Sequence, residues 1–284
     1  MANKVWFITG ASRGFGALIA QQALQRGDSV VATARDPQTV INALGEHPNL
    51  LAVRLDVRLE AQAIMAARQA VERFGHIDVL VNNAGYGLLG AVEEATGEEI
   101  RDLYETNVFG LLNVTRAVLP SMRKRGSGHV VNISSVGGYS AYAGWGVYGS
   151  TKFAVEGLSE ALHMELAPLG VNVTVVEPGF FRTDFLDASS LVSTRIRIED
   201  YADTVGAMRT FASGANHGQP GDPAKLATAM LQLADSDKPP VRLQLGSDTV
   251  ERVRAKNAFV DAEMLQWLEL AQSTDFDLEQ QKAA

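Results

Sequence analysis

Seven short apolar runs, most of them followed by a longer amphipathic stretch, leave this chain few ways to fold. The runs are Val5–Ile8, Val30–Thr33, Leu50–Leu55, Val79–Asn82, His129–Ile133, Val171–Val176 and Val241–Leu245. Helical periodicity marks Ala17–Arg26 and Ala61–Phe74, and the stretches around Ile100–Arg123 and Gly149–Ala167. Strands alternating with helices predict an α/β domain whose parallel sheet is covered on both faces. Several runs are apolar without clean alternation, as doubly buried strands require. Right-handed crossovers make the arrangement doubly wound and place ligand sites at the carboxyl ends of the strands. A chain of 284 residues suits such a domain. We read it as one unit over 1–284, with a lid-like stretch at about 184–221 and a C-terminal extension at about 250–284.

Composition narrows the partners. The net charge of −8 argues against a general nucleic-acid binder, which needs clustered Lys and Arg. There is no cysteine, so disulfides, thiolate nucleophiles and cysteine-held metals are excluded. This fits a reducing cytoplasm, which is the expected location. Nothing points to a metal site. The first residues run straight into an apolar segment that glycine and Arg13 interrupt, which predicts neither a signal peptide nor a membrane span.

The strand ends carry the chemistry. The first run ends in Thr9-Gly10-Ala11-Ser12-Arg13-Gly14-Phe15-Gly16, and a helical pattern follows at once. Glycines let a backbone turn tightly against a ligand, and a new helix offers free N–H groups to a pyrophosphate. The second run ends at Arg35-Asp36. A site for a plain ribose 2′-hydroxyl usually has a carboxylate at that point. Here Arg35 stands there and Arg13 projects toward the same region, a pair suited to a 2′-phosphate. The competing reading makes Arg35 a solvated surface residue and Asp36 a helix cap beside Pro37. At the third strand end, Asp56, followed by Val57, serves equally well as an acceptor for an adenine amino group or as a helix N-cap. The fourth end, Asn82-Asn83-Ala84-Gly85, is small enough for a ligand to lie along the backbone.

Beyond the fifth run comes Ser134-Ser135, and then Tyr148-Gly149-Ser150-Thr151-Lys152. Tyr148 and Lys152, four apart, share one helix face. A cation beside a phenol lowers its pKa from about 10 and suits it to proton transfer. By itself, such a pair is also an ordinary helix-surface feature.

Taken together these motifs resemble the classical short-chain dehydrogenase/reductase family over about residues 4–185. The matching elements are the Thr9–Gly16 turn, Asn82–Gly85, Asn107, Ser135, the Tyr148/Lys152 pair, and Pro178-Gly179 followed by Thr183. They stand in family order and spacing, Ser135 being thirteen positions before Tyr148. The resemblance implies a single Rossmann domain and an NADP(H)-dependent oxidoreductase, NADP(H) being preferred over NAD(H). Such an enzyme moves hydride between the cofactor and a ketone, aldehyde or alcohol. It implies Tyr148 as general acid/base and Ser135 as the group orienting the substrate oxygen. Lys152 would hold the nicotinamide ribose and bias Tyr148 toward the phenolate. Asn107 would fix a helix irregularity and a water. Gly10, Ser12, Arg13, Gly14, Phe15 and Gly16 would contact phosphates and adenosine, with Arg35, Asp56 and Val57 beyond them. Asn83, Ala84 and Gly85 would flank the ribose, and Pro178, Gly179, Phe181 and Thr183 the nicotinamide. It also implies a homodimer or homotetramer formed through the helices around Ile100–Arg123 and Gly149–Ala167.

The stretch from Phe185 to Gly221 is polar and irregular and is read as a mobile lid. Tyr139, Tyr142, Trp145 and Phe185 either line an apolar pocket, with Tyr142 and Phe185 touching substrate, or pack as ordinary core. Asp222-Pro223 is an N-cap followed by a helix-starting proline. Val250–Leu270 reads as an amphipathic helix whose length resembles the steroid- and retinol-type branch. Two other readings exist: a non-catalytic NADP-sensing protein and a sugar-nucleotide epimerase or dehydratase. The first would be expected to have lost a catalytic residue, and the second is usually longer.

Overall fold

The computed structural model describes residues 3–216 and 218–276. Residues 277–284 of the expected C-terminal extension, and position 217 of the expected lid, lie outside that description. In chain order the strands are β1 (Val5–Ile8), β2 (Ser29–Ala34), β3 (Leu50–Arg54), β4 (Val79–Asn82), β5 (Gly87–Leu89), β6 (Gly128–Ile133), β7 (Val171–Pro178), β8 (Leu191–Ser193) and β9 (Arg242–Leu245). The helices are α1 (Gly14–Gln25), α2 (Pro37–Leu44), α3 (Glu60–Phe74), α4 (Gly97–Tyr104), α5 (Gly110–Arg125), α6 (Gly146–Leu166), α7 (Ala207–Ala215), α8 (Pro223–Asp235), α9 (Ser247–Gln266) and α10 (Leu268–Gln272).

Seven strands form one parallel sheet in the order β3-β2-β1-β4-β6-β7-β9. The order reverses between β1 and β4, which opens a crevice at their carboxyl ends. The sheet is buried on both faces, and β1 shows how. Trp6 and Ile8 join one core with Ile19 of α1 and Leu226 and Met230 of α8. Phe7 points the other way, into a core with Ala66 of α3 and Val118 and Met122 of α5. Each large side chain so buried contributes about 1.5–3 kcal/mol. Trp6 stays satisfied because its indole N–H donates to Asp28 at 2.8 Å.

Local chemistry sets the helix starts. Asp222 caps α8 by accepting from the Ala224 N–H at 2.9 Å, with Pro223 in the first turn, as the sequence predicts. Asp36 caps α2 in the same way, accepting from Gln38 N–H at 3.0 Å beside Pro37. By contrast, α1 has no side-chain cap, so its first N–H groups stay open toward the crevice.

Three elements differ from expectation. The helix expected around Ile100–Arg123 is two helices joined by a π-turn at Glu105–Phe109. The expected lid is not wholly irregular: it holds β8, a π-turn at Ala202–Gly206 and helix α7. Strand β8 pairs with β5 in a separate two-stranded parallel sheet. Its three-residue strands are too short to show a period. The tail helix breaks at Trp267 into α9 and α10. The start of α9 is fastened to the body, while Phe259, Met264, Leu265, Trp267 and Leu270 beyond it are exposed. Among the described residues no helix is long and apolar enough to cross a membrane.

Candidate active site

A single cavity of about 750 Å³ runs along the carboxyl edge of the sheet, within the usual ~300–1,000 Å³ range of ligand sites. Its floor at one end is the glycine turn. Gly10 (φ +63°) and Gly14 (φ +55°) adopt left-handed conformations that L side chains resist. At Gly16 a Cβ would run into the Gly10 carbonyl and the Asn83 amide. The turn is tied to β4 by Thr9, whose hydroxyl accepts from the N–H groups of Asn83 at 2.9 Å and Ala84 at 3.0 Å. Asn83 returns the link, donating to the Thr9 and Gly10 carbonyls at 2.9 and 3.1 Å. Thr9 thus acquires a positioning role that its mere membership of the motif did not reveal.

Beyond the turn the cavity passes Ala34, Arg35, Asp36, Asp56 and Val57. Arg35 is exposed, and no hydrogen bond or ion pair holds it among the described residues. The Asp36 carboxylate serves α2 as its cap. Arg13 lines the same cavity and is held by a hydrogen bond. Its guanidinium donates to the Ser189 carbonyl at 2.7 Å, joining the glycine turn to the lid. Asp56 is not an N-cap, since α3 starts after Leu59. Its carboxylate is gripped by Arg58 through bonds of 2.6 and 3.0 Å, and this charged hydrogen bond holds it below the ordinary carboxylate range. Sequence reading missed Arg58.

At the other end stand Ser135, Tyr148 and Lys152. Ser135 follows β6, and its hydroxyl accepts from the Gly137 N–H at 3.0 Å. Tyr148 and Lys152 lie on the first turns of α6, and both line the cavity. Lys152 donates to the Ile133 carbonyl at 2.9 Å, with its ammonium 5.8 Å from the Tyr148 ring centre. Burial governs both groups. It pushes the Tyr148 phenol up, opposed only by the Ser135 hydroxyl, and it lowers Lys152 to about 8. Burial, which disfavours the phenolate, is thus the dominant influence on Tyr148 here.

Asn107 sits inside the π-turn, 2% exposed. The turn's extra residue aims the side chain inward. It accepts from the Tyr86 N–H at 3.1 Å and donates to the Tyr86 carbonyl at 3.0 Å and to the Thr151 hydroxyl at 3.2 Å. The helix irregularity that the resemblance implied at Asn107 is thus present. A Cβ at Gly85 would stand 3.0 Å from Asn107 Oδ1 and 3.8 Å from Lys152 Nζ, so the small residues of Asn82–Gly85 keep this corner open.

Pro178 ends β7, and with Gly179, Phe181 and Thr183 after it lines the cavity. Phe15 and Phe181 meet edge to face at 5.5 Å, joining the two walls. Asp248 at the start of α9 accepts from the Phe180 N–H at 2.8 Å and fixes the strand end. Phe185 of the lid stacks on Trp145 at 6.3 Å and lies 5.6 Å from the Tyr148 ring. Tyr142 lines the cavity under the Arg252 guanidinium, 4.4 Å above its ring. Tyr139 does not: its hydroxyl donates to Asn257 of α9 at 2.6 Å, away from the cavity. The tail helix thus shapes the aromatic wall through Asp248 and Arg252, neither of which sequence reading singled out.

The segment around Ile198 and Arg209 is held by Glu94, which is fully buried. It accepts from the N–H groups of Ala91 at 2.7 Å and Ile198 at 2.9 Å and pairs with Arg209. Burial pushes Glu94 up, but these donors outweigh it and hold it at about 2.

The family model described as short chain dehydrogenase matches residues 4–191. The chain belongs to that family. It is 39% identical to oxidoreductase BOA17 of Botryotinia fuckeliana, over 95% of this chain and 98% of that one. It is 38% identical to the 3-ketodihydrosphingosine reductase of Bacteroides thetaiotaomicron, over 87% and 89%. A short-chain dehydrogenase structure from Streptomyces avermitilis shares 43% identity, with a TM-score of 0.90 over 97% of this chain and 100% of that one. Two more distant structures hold nicotinamide cofactors. A short-chain dehydrogenase/reductase from Burkholderia phymatum binds NAD (26% identity, TM-score 0.80, over 92% and 95% of the chains). ElxO binds NADP (27%, 0.72, over 88% and 100%). This short-chain dehydrogenase is an oxidoreductase of a family whose structural neighbours bind NAD or NADP.

Proposed function

We propose that the protein is an NADP(H)-dependent carbonyl reductase or alcohol dehydrogenase for an apolar substrate. The observation that carries this reading is one cavity joining a glycine turn at Gly10–Gly16 to Ser135, Tyr148 and Lys152 under aromatic walls. The residues fit a dinucleotide: the turn offers free helix N–H groups to a pyrophosphate, and Asn83–Gly85 leave backbone room beside it. Arg35 is free to meet a 2′-phosphate, while Asp36 is spent as a cap, and this favours NADP(H).

The bound nicotinamide supplies the hydride. The chain's own residues place and protonate the substrate. Ser135 Oγ and Tyr148 Oη converge on the substrate oxygen, and in reduction the Tyr148 proton passes to that oxygen as the alcohol forms. Burial keeps Tyr148 protonated, which suits it as the acid. Lys152 holds the nicotinamide ribose and offsets the phenolate charge left behind. Asn107 keeps the Tyr86 backbone and Thr151 in place beside Lys152. Tyr142, Trp145 and Phe185 receive an apolar substrate body, which agrees with the long-chain ketone that names the Bacteroides relative.

The protein assembles as a homodimer or homotetramer through α5 and α6. Phe109, Phe153 and Met164 expose apolar surface on or beside these helices and support that reading. Its location is cytoplasmic. The test is an NADPH-oxidation screen over ketones, aldehydes, steroids and retinoids, with the reverse reaction on matching alcohols. Tyr148→Phe should abolish turnover while NADPH binding persists. Full activity in that variant would overturn the mechanism.

A further inference from the structure

A second group of ionisable side chains lies directly behind Lys152. Glu156 follows Lys152 by one helical turn on α6 and is 6% exposed. Glu177, fully buried, sits on β7 immediately before Pro178. Arg242 of β9 faces both: its Nε is 3.3 Å from Glu156 Oε2 and 3.8 Å from Glu177 Oε1. Its Nη2 is taken by the surface residue Glu160 at 2.6 Å. One guanidinium thus serves three carboxyl groups, two of them out of water.

The hydrogen bonding of this cluster is incomplete. Glu177 Oε2 accepts from the Gln244 amide at 3.1 Å. Glu156 Oε1, Glu177 Oε1 and the Ser134 hydroxyl, all buried, have no partner in good hydrogen-bonding geometry among the described residues, although Ser134 lies near enough to Glu156 to lower its pKa, and Glu156 near enough to Glu177 to lower that one in turn. Two unpartnered carboxylate oxygens in one dry cluster are costly if both groups are ionised. A single proton relieves both costs, because it removes one charge and turns an acceptor into a donor. Ser134 links this cluster to the active site, since it also lines the cavity that holds Ser135 and Tyr148.

We propose that Glu156 and Glu177 share one proton at neutral pH, and that Glu156 acts as a positioning residue that sets the charge of Lys152. The role in turnover rests on the reductase reading above. The electrostatic coupling does not. The charged groups facing Glu156 are Lys152 and Glu160 on its own helix, Glu177 on β7 and Arg242 on β9. Lys256 and Asp261 of α9 line the groove outside it. Burial and the Glu177 charge push Glu156 up to about 7, against the pull of Ser134 and Arg242. Burial raises Glu177 as well. Lys152, lowered by burial to about 8, is supported by the Glu156 charge as well as by its bond to the Ile133 carbonyl. The more fully Glu156 is ionised, the higher the pH to which the Lys152 ammonium persists.

Two variants then move Lys152 in opposite directions. Glu156→Gln removes the supporting charge, and the Lys152 midpoint should fall by about one pH unit. Glu177→Gln removes a like charge beside Glu156 and lets it ionise more readily. The Lys152 midpoint should then rise, by about half a unit. NMR titration of isotope-labelled lysine reads this in the free protein, with Lys152→Arg identifying the signal. Infrared spectroscopy should find a protonated carboxylic acid stretch at neutral pH in the wild type, and it should weaken in both variants. With a ketone found by the screen, the alkaline limb of carbonyl reduction should track the Lys152 midpoint in each protein. A merely structural role would lower turnover without moving that limb. Should Glu156→Gln fail to fold, Glu177→Gln and the wild-type infrared spectrum decide the matter. An unmoved Lys152 midpoint, or no acid stretch at neutral pH, overturns the proposal. Failure of the reductase reading shows itself separately, as a wild type that oxidises no NADPH with any compound screened.

Discussion

The cofactor preference rests on two arginines that the fold treats differently, and this makes it open to a quantitative test. Arg35 has no hydrogen bond or ion pair to give up among the described residues, only a longer-range attraction to Asp56. Arg13 donates to the Ser189 carbonyl at 2.7 Å and must release it to reach a phosphate. A hydrogen bond to a charged group contributes about 1.5–3 kcal/mol. Removing Arg35 should therefore weaken NADPH by roughly 10- to 150-fold, at 1.4 kcal/mol per factor of ten. For Arg13 the exposed bond from its guanidinium to the Ser189 carbonyl, about 1.5 kcal/mol as the low end for a charged group, offsets part of the gain. The net is about 1 kcal/mol, or roughly fivefold. Fluorescence titration of wild type, Arg35→Ala and Arg13→Ala with NADPH and NADH measures all six constants. Neither substitution should change NADH affinity by more than about twofold, because NADH lacks the 2′-phosphate. Equal loss for the two cofactors in Arg35→Ala would refute the assignment. A larger loss in Arg13→Ala than in Arg35→Ala would show that the Ser189 bond does not hold Arg13 back from the phosphate.

Other outcomes follow from the same geometry. Gly16→Ala places a Cβ against the Gly10 carbonyl and the Asn83 amide, so dinucleotide affinity should drop at least tenfold, about 1.4 kcal/mol; calorimetry that finds unchanged binding would contradict the cradle. Glu94→Gln leaves Arg209 without its buried partner and should cost about 3 kcal/mol in urea unfolding, with faster proteolysis between 190 and 209. A loss under 1 kcal/mol there, about what an exposed pair contributes, would show that the lid is not anchored at Glu94. His129 is buried beside Thr174 and, through burial first and Lys4 second, titrates at about 4 rather than 6.5. The unfolded chain therefore binds more protons between these values, and the stability that neutral His129 provides is complete above 6.5 and lost as pH falls toward 4. His129→Gln should gain about 2 kcal/mol relative to wild type between pH 7.5 and 5, a change that would be absent if His129 titrated normally. Glu156, raised to about 7, and Glu177, raised as well, work in the opposite sense, adding stability as pH falls, so the variant's difference from wild type is the quantity to measure.

Much of the site is visible as a linear pattern because strand ends line up in a parallel sheet. Once β1, β4 and β6 lie side by side, Gly10, Asn83 and Ser135 must share an edge. Likewise α6 carries Tyr148 and Lys152 on one face whatever surrounds it. The caps at Asp36 and Asp222 are local as well, being bonds between near neighbours.

The sequence alone determined the α/β alternation, the order of the strand ends and the identity of the side chains gathered there, because these depend on period and on contacts within a few residues. The tertiary structure decided the rest, because it depends on distance and dryness between segments far apart in the chain. Arg13 bonds to the distant Ser189 carbonyl, and Tyr139 faces Asn257 instead of the cavity. The π-turn that aims Asn107 left no trace in the hydrophobic pattern. Most of all, Tyr148 and Lys152 four positions apart suggest an activated phenol, yet their shared burial raises the tyrosine and lowers the lysine. Spacing specifies which groups meet, but only the fold fixes how much water each one loses.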